Sequence, residues 1–249
     1  IHSNWTNGFS RVPGAFNDVA HKNGVKTGCT YFIDWGAGVN QMEEPGKTLY
    51  ELATPGTNSY GDKYKYSRKL IQFLKYYGID GLCFNPEGTW GMTLYQRFIP
   101  FLAECHKIAK ELNHPFHVDW YAFVSNTGAL SDNGCKLTTN NNNWFHHAET
   151  NQPVTDVFFL NYNWSESGLQ QSIETARSHG RSTFDVYAGY DMQGRGYGTH
   201  GNAGWDVVMK YPVSLVIWGA HDRNQLYISS TEGGQSDYAV QNEYQKKQE

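Results

Sequence analysis

The sequence predicts an α/β protein of the (β/α)8, or TIM, barrel class. Short runs rich in β-branched and aromatic residues alternate with amphipathic segments, the pattern of a parallel sheet wrapped by helices. Polar and aromatic residues recur at the C-terminal end of run after run, where such a barrel builds its active site: Asp34-Trp35, Asn85 with Glu87, Trp120-Tyr121, Asn161 with Trp164, Asp191, and Trp218 with His221. The 249 residues suit one large domain of this kind.

The elements follow in order. Residues 16–23 read as a short helix closed by Gly24. Residues 25–33 (VKTGCTYFI) form the first strand and enter a loop at Asp34-Trp35-Gly36. Residues 36–63, rich in Gly, Pro, Asn and Thr, read as a long loop. Residues 66–77 form a helix whose Leu70, Ile71, Leu74 and Tyr77 share a face, with Gly78 as its terminator. A strand at 82–84 comes next. Met92, Tyr95, Ile99, Leu102, Cys105, Ala109 and Leu112 then fall at helical spacing and predict a long helix over 91–112. Residues 116–121 (FHVDWY) are a strand, and a polar loop leads to a short helix over 143–150. Strand 157–162 (VFFLNY), helix 168–179, strand 183–188 (TFDVYA), a short helix over 203–211, strand 214–218 (SLVIW) and a polar helix over 238–247 complete the chain.

Six strands emerge rather than eight, with the first and last of the barrel absent. Those two would be neighbours in a closed barrel, and a six-strand sheet standing alone would expose two edges. The expectation is one catalytic barrel domain over residues 1–249, excerpted from a longer polypeptide with room for accessory carbohydrate-binding domains. A doubly wound sheet is the rival, but its glycine fingerprint follows a strand, and the GRGYG at 194–198 lacks that context.

Composition excludes several classes of function. Net charge is −4 with no basic cluster, so no nucleic-acid footprint exists. No apolar run approaches the length of a membrane span. The chain opens at Ile1 without the charged and apolar regions of a signal peptide, which is therefore either cleaved or never present. Cys29, Cys83, Cys105 and Cys135 lack metal or redox spacing, and Cys29 and Cys83 read as buried thiols. They do not settle the compartment; a secreted or cell-surface setting is expected, with a cytoplasmic one left open. The ten histidines form no metal motif, His146-His147 reads as helix surface, and no cofactor is expected. The 8 Trp and 17 Tyr supply either core or flat faces for stacking sugars. Asp80, ahead of Gly81 at a strand start, reads as structural, whereas Trp35 and Trp120 fit stacking and packing equally.

The chemistry centres on YYGIDGLCFNPEG, residues 76–88. Asn85 and Glu87 share a face of an extended chain, and Pro86 keeps Asn85 out of the helical region. Most glycosidases use two carboxyl groups, but here an amide stands where the second would be. That pairing suits a substrate that carries its own nucleophile. A 2-acetamido sugar attacks its anomeric carbon through the acetamide oxygen; Asn85 would hold the acetamide, and Glu87 would protonate the leaving oxygen and later activate water. Taken alone, Asn-Pro-Glu is also compatible with an ordinary strand-to-loop turn.

This stretch resembles the corresponding segment of the family 85 glycoside hydrolases, the endo-β-N-acetylglucosaminidases. AHKNGVKTG, VDWY, VFFLNYNW, DVYAGYDMQGRG and VSLVIWGAHDRNQLY resemble further family motifs in the same order, the last in a bacterial subgroup's Trp-Gly-Ala-His variant. The resemblance implies a TIM barrel that cleaves within the N,N′-diacetylchitobiose core of N-glycans or glycoproteins by substrate-assisted retention. It implies Asn85 and Glu87 as the catalytic pair, Tyr121 in the −1 site, Asn161 and Trp164 as a sugar platform, and Asp191 as a hydroxyl contact. Trp35, Trp218 and His221 join them as strand-end candidates. The chain departs from the family at Pro86, at Ala122 in place of an Asp, and at Asp132 in place of a Trp, for which Trp144 is the candidate replacement. A chitinase-type hydrolase, which would carry Asp at position 85, and a non-catalytic glycan-binding barrel are the alternatives.

Overall fold

In the computed structural model, the described residues are 8–9, 12–33, 38–131, 134–149, 151–191 and 205–218. The architecture is α/β. Strands β1 (Gly8–Phe9), β2 (Gly28–Ile33), β3 (Gly81–Pro86), β4 (His117–Tyr121), β7 (Val157–Leu160), β8 (Val186–Asp191) and β9 (Ser214–Trp218) form one sheet in that order. Every pairing from β2 to β9 is parallel, and each strand neighbours the next one in the chain. That stepwise order is the winding of a (β/α) barrel; a doubly wound sheet reverses direction partway. All six predicted strands are present. The outer edge of β2 is paired antiparallel with β1, an element that the sequence did not announce.

Helices pack on one side of this sheet: α1 (Gly14–Lys22), α2 (Gly46–Leu52), α3 (Ser67–Tyr77), α4 (Gly91–Glu111), α5 (Asn142–Phe145), α6 (Glu166–Ser178) and α7 (Trp205–Val208). In α3, Leu70, Ile71 and Leu74 are buried, whereas Tyr77, assigned to that face from spacing, is 52% exposed. Gly78 ends the helix at φ 66°, a left-handed conformation that glycine adopts without a Cβ penalty. In α6, the Ser165 hydroxyl accepts from the Gly168 N–H at 3.1 Å, capping the helix.

Three expectations are corrected. Residues 46–52, read as loop, form α2. The helix expected over 143–150 stops at Phe145; the chain then pairs as a hairpin, β5 (His146–His147) with β6 (Gln152–Pro153). His146 is accordingly buried against His179 rather than set on a helix surface. The strand placed at 183–188 starts later: Thr183–Asp185 is a 3-10 turn, its Phe184 N–H held by Ser182 Oγ, and β8 runs on to Asp191.

Strand alternation divides the core in two. Tyr31, Ile33, Leu82, Phe84, Trp120, Phe158, Leu160, Val186 and Tyr190 join the helices in the larger cluster. The residues between them face the other way, where Tyr121, Val157 and Phe159 gather with Phe123, Tyr162, Tyr187 and Val216. No helix contributes to this second cluster, so it marks the inner face of the curved sheet.

Candidate active site

Asn85 lies opposite Phe32 in the β2–β3 register and alternates with Phe84, which is committed to the helix side. It therefore faces inward, as does Glu87 two residues on. Both are nearly buried, at 8% and 9% exposure. Asn85 Oδ1 has no hydrogen-bond partner among the described residues. Glu87 is tied down by its backbone, whose N–H donates to Ile33 O at 3.2 Å.

That bond also explains Pro86. The N–H groups of alternate residues point to the same neighbour, so position 86 would direct its N–H towards β4. The β3–β4 pairing ends at Phe84 opposite Trp120, two residues earlier. Proline thus removes a donor from a place where the ladder has already stopped.

Tyr121 is inward on β4 and 4% exposed, its ring against Phe159 at 4.6 Å and Phe123 at 4.8 Å. Its hydroxyl donates to Asn161 Oδ1 at 2.7 Å. Burial, reinforced by Tyr162 and by the negative charges of Glu87 and Asp191, pushes this phenol far above its ordinary range, so it stays a hydroxyl. Asp191, at the end of β8, registers opposite Trp218 at the end of β9. Asn85, Glu87, Tyr121, Asn161, Asp191 and Trp218 therefore converge on the inner face at the C-terminal ends of the strands. Phe159 and Tyr162, which floor this cluster, were not singled out from sequence, although FFLNY placed them beside Asn161.

Trp164 does not join them. It is fully buried on the helix side, its indole N–H donating to Gly189 O at 3.0 Å, so neither ring face is open to a sugar. The physical reason is its reach back under β8 after the turn that begins at Asn161. Trp120 and Trp144 are likewise fully buried there, which makes Trp120 a packing residue and removes Trp144 as a replacement for the missing family Trp. Trp35, His221 and Asp132 lie outside the described residues.

Asp80 occupies the opposite end of β3, accepting from the Thr27 N–H at 2.7 Å and contacting His21 Nε2 at 2.8 Å. It ties β2 to β3, as its structural reading expected. None of the four cysteines is in a disulfide among the described residues, and burial pushes the Cys29 thiol up to about 12. Among the described residues, no group of side chains is arranged to hold a metal ion and no helix is long and apolar enough to cross a membrane. A groove of about 750 Å³ lies outside the sheet between α2 and α3, lined mainly by Leu52, Leu70, Phe73 and Tyr76. It carries none of the inward polar groups gathered at the strand ends.

The sequence profile of glycosyl hydrolase family 85 matches residues 5–244. The chain belongs to that family. This family 85 chain is 26% identical over 238 residues to cytosolic endo-beta-N-acetylglucosaminidase 1 of Arabidopsis thaliana, covering 93% of the chain and 31% of that protein. It is 27% identical over 212 residues to the cytosolic endo-beta-N-acetylglucosaminidase of Danio rerio, covering 83% and 27%. The chain thus spans about a third or less of these relatives. In fold it is similar to the glycoside hydrolase domain Endo-D of Streptococcus pneumoniae, with a TM-score of 0.70 and 23% identity over 93% of this chain and 39% of that one. The apo endo-beta-N-acetylglucosaminidase of Cordyceps militaris gives a TM-score of 0.51 at 14% identity, over 92% of this chain and 71% of that one.

Proposed function

We propose that this chain is the catalytic barrel of an endo-β-N-acetylglucosaminidase hydrolysing the GlcNAc-β1,4-GlcNAc bond of the N,N′-diacetylchitobiose core of N-glycans. The observation that carries this reading is Asn85 Oδ1, an acceptor buried beside Glu87 and without a partner among the described residues. Leaving such an atom unsatisfied costs about 1–3 kcal/mol, and an acetamide N–H is the donor that would recover it. With that N–H held by Asn85, the acetamide oxygen attacks the anomeric carbon while Glu87 gives its proton to the departing glycosidic oxygen. Water then opens the oxazolinium at the same carbon and passes a proton to Glu87, so configuration is retained. Family membership and the names of the relatives support the substrate class.

Mass spectrometry of a high-mannose glycopeptide tests the main reading in the full natural chain. A peptide retaining one GlcNAc is expected, with turnover falling by about 100-fold or more in Glu87→Gln. Intact glycopeptide that binds without cleavage would make the protein a glycan-binding barrel instead.

A further inference from the structure

We infer that Asn161 is a positioning residue that acts through Tyr121. This rests on the endoglycosidase reading and deepens it. The Asn161 amide has a defined orientation. Its Oδ1 lies 2.6 Å from the backbone N–H of Tyr162, which only donates. An amide NH2 at that position would set donor against donor, so the backbone fixes which end is oxygen. The same Oδ1 receives the Tyr121 hydroxyl at 2.7 Å. Asn161 is anchored in turn, since its own N–H donates to Gly134 O at 2.8 Å.

The phenol has one proton and spends it on Asn161. Burial and the nearby carboxylates keep that proton in place. What the Tyr121 oxygen presents to the inner face, towards Asn85 and Glu87, is therefore lone pairs. Tyr121 becomes an acceptor for a substrate O–H or N–H and is unable to donate to the acetamide carbonyl. Without Asn161 the hydroxyl would rotate freely, donate to whatever acceptor entered, and lose that discrimination.

A double-mutant cycle in kcat on a high-mannose glycopeptide separates this role from a structural one. Asn161→Leu is expected to lower kcat by about ten-fold when Tyr121 is present, the scale of one buried hydrogen bond. In the Tyr121→Phe background the same change is expected to cost less than about two-fold, because the hydroxyl it steers is gone. Asn161→Asp keeps an acceptor oxygen and is expected to retain most of the activity. Equal losses in both backgrounds would overturn the inference, as would an Asn161→Asp enzyme of native melting temperature that loses as much as the leucine variant. Should Asn161→Leu fail to fold, Asn161→Ala supplies the same cycle. A wild-type protein that cleaves no glycopeptide would instead bring down the endoglycosidase reading, and this inference with it.

Discussion

Trp120 lies flat on Trp144, ring centroids 3.9 Å apart and planes 12° from parallel. Trp90 closes the group edge-on, 5.3 Å from each. This cluster holds the helix side of β4, so the next residue, Tyr121, has to face inward.

Trp144→Ala would open a large cavity in that cluster and remove the indole N–H that reaches the Ser125 carbonyl at 3.1 Å, leaving that carbonyl only the Gly128 N–H. A loss of about 3–5 kcal/mol in unfolding free energy is expected from denaturant titration, with turnover per folded molecule held. A selective loss of glycan affinity at unchanged stability would return Trp144 to the binding site.

Asn85→Ala separates two halves of the proposed chemistry. Given a sugar oxazoline as donor, the variant is expected to transfer it to an acceptor while hydrolysis of native glycan collapses. Asn85 is required only to form that intermediate, and the oxazoline arrives with it formed. Equal loss of both activities would overturn the role proposed for Asn85.

Two histidines give stability opposite pH dependences. Burial disfavours the charged His117 ring, but the Asp119 contact at 2.9 Å and the charges of Asp119 and Asp156 outweigh it and hold the pKa above the ordinary value. The folded protein grips this proton more tightly than the unfolded one. Its contribution is complete below about pH 6.5 and is lost as pH climbs through the raised folded value. At His179, burial, His146 and Arg181 hold the pKa down. That contribution is present above about pH 6.5 and is lost as pH falls through the folded value. Melting temperatures across this range should lose their alkaline-side decline in His117→Gln and their acid-side decline in His179→Gln. Unchanged profiles would refute both assignments.

Asp80→Asn should weaken the protein without touching its chemistry. The carboxylate serves the Thr27 N–H and His21 at the end of β3 remote from Glu87. A loss of about 1–3 kcal/mol is expected, with kcat unchanged. A large fall in kcat at native stability would make Asp80 part of the catalytic machinery.

Much of this was legible because a parallel strand buried on both faces reads as an apolar run, and its polar end marks where the sheet stops. Helix α1 carried a terminator in Gly24, α4 a clear spacing, and α3 both. GKTLYEL was missed because seven residues behind Pro45 hold too few turns to show a period. The faces of the strands were harder to read. Trp120 and Tyr121 are adjacent and both aromatic, and nothing in their types says which turns inward. That follows only from the register, with Cys83 opposite Asp119 and Phe84 opposite Trp120. Trp164 misled for the same reason: an aromatic near a strand end fits a sugar platform and a core equally well.

The alternation along β3 also acts as a check during folding. A slip of one residue against β2 would turn Asn85 into the helix-side core and Phe84 and Pro86 inward, burying an amide on the side that holds Tyr31 and Trp120. Such a molecule would fail to consolidate and would be open to proteases. Any copy that persists in the folded state has therefore already had the placement of its Asn85 amide verified by its own assembly.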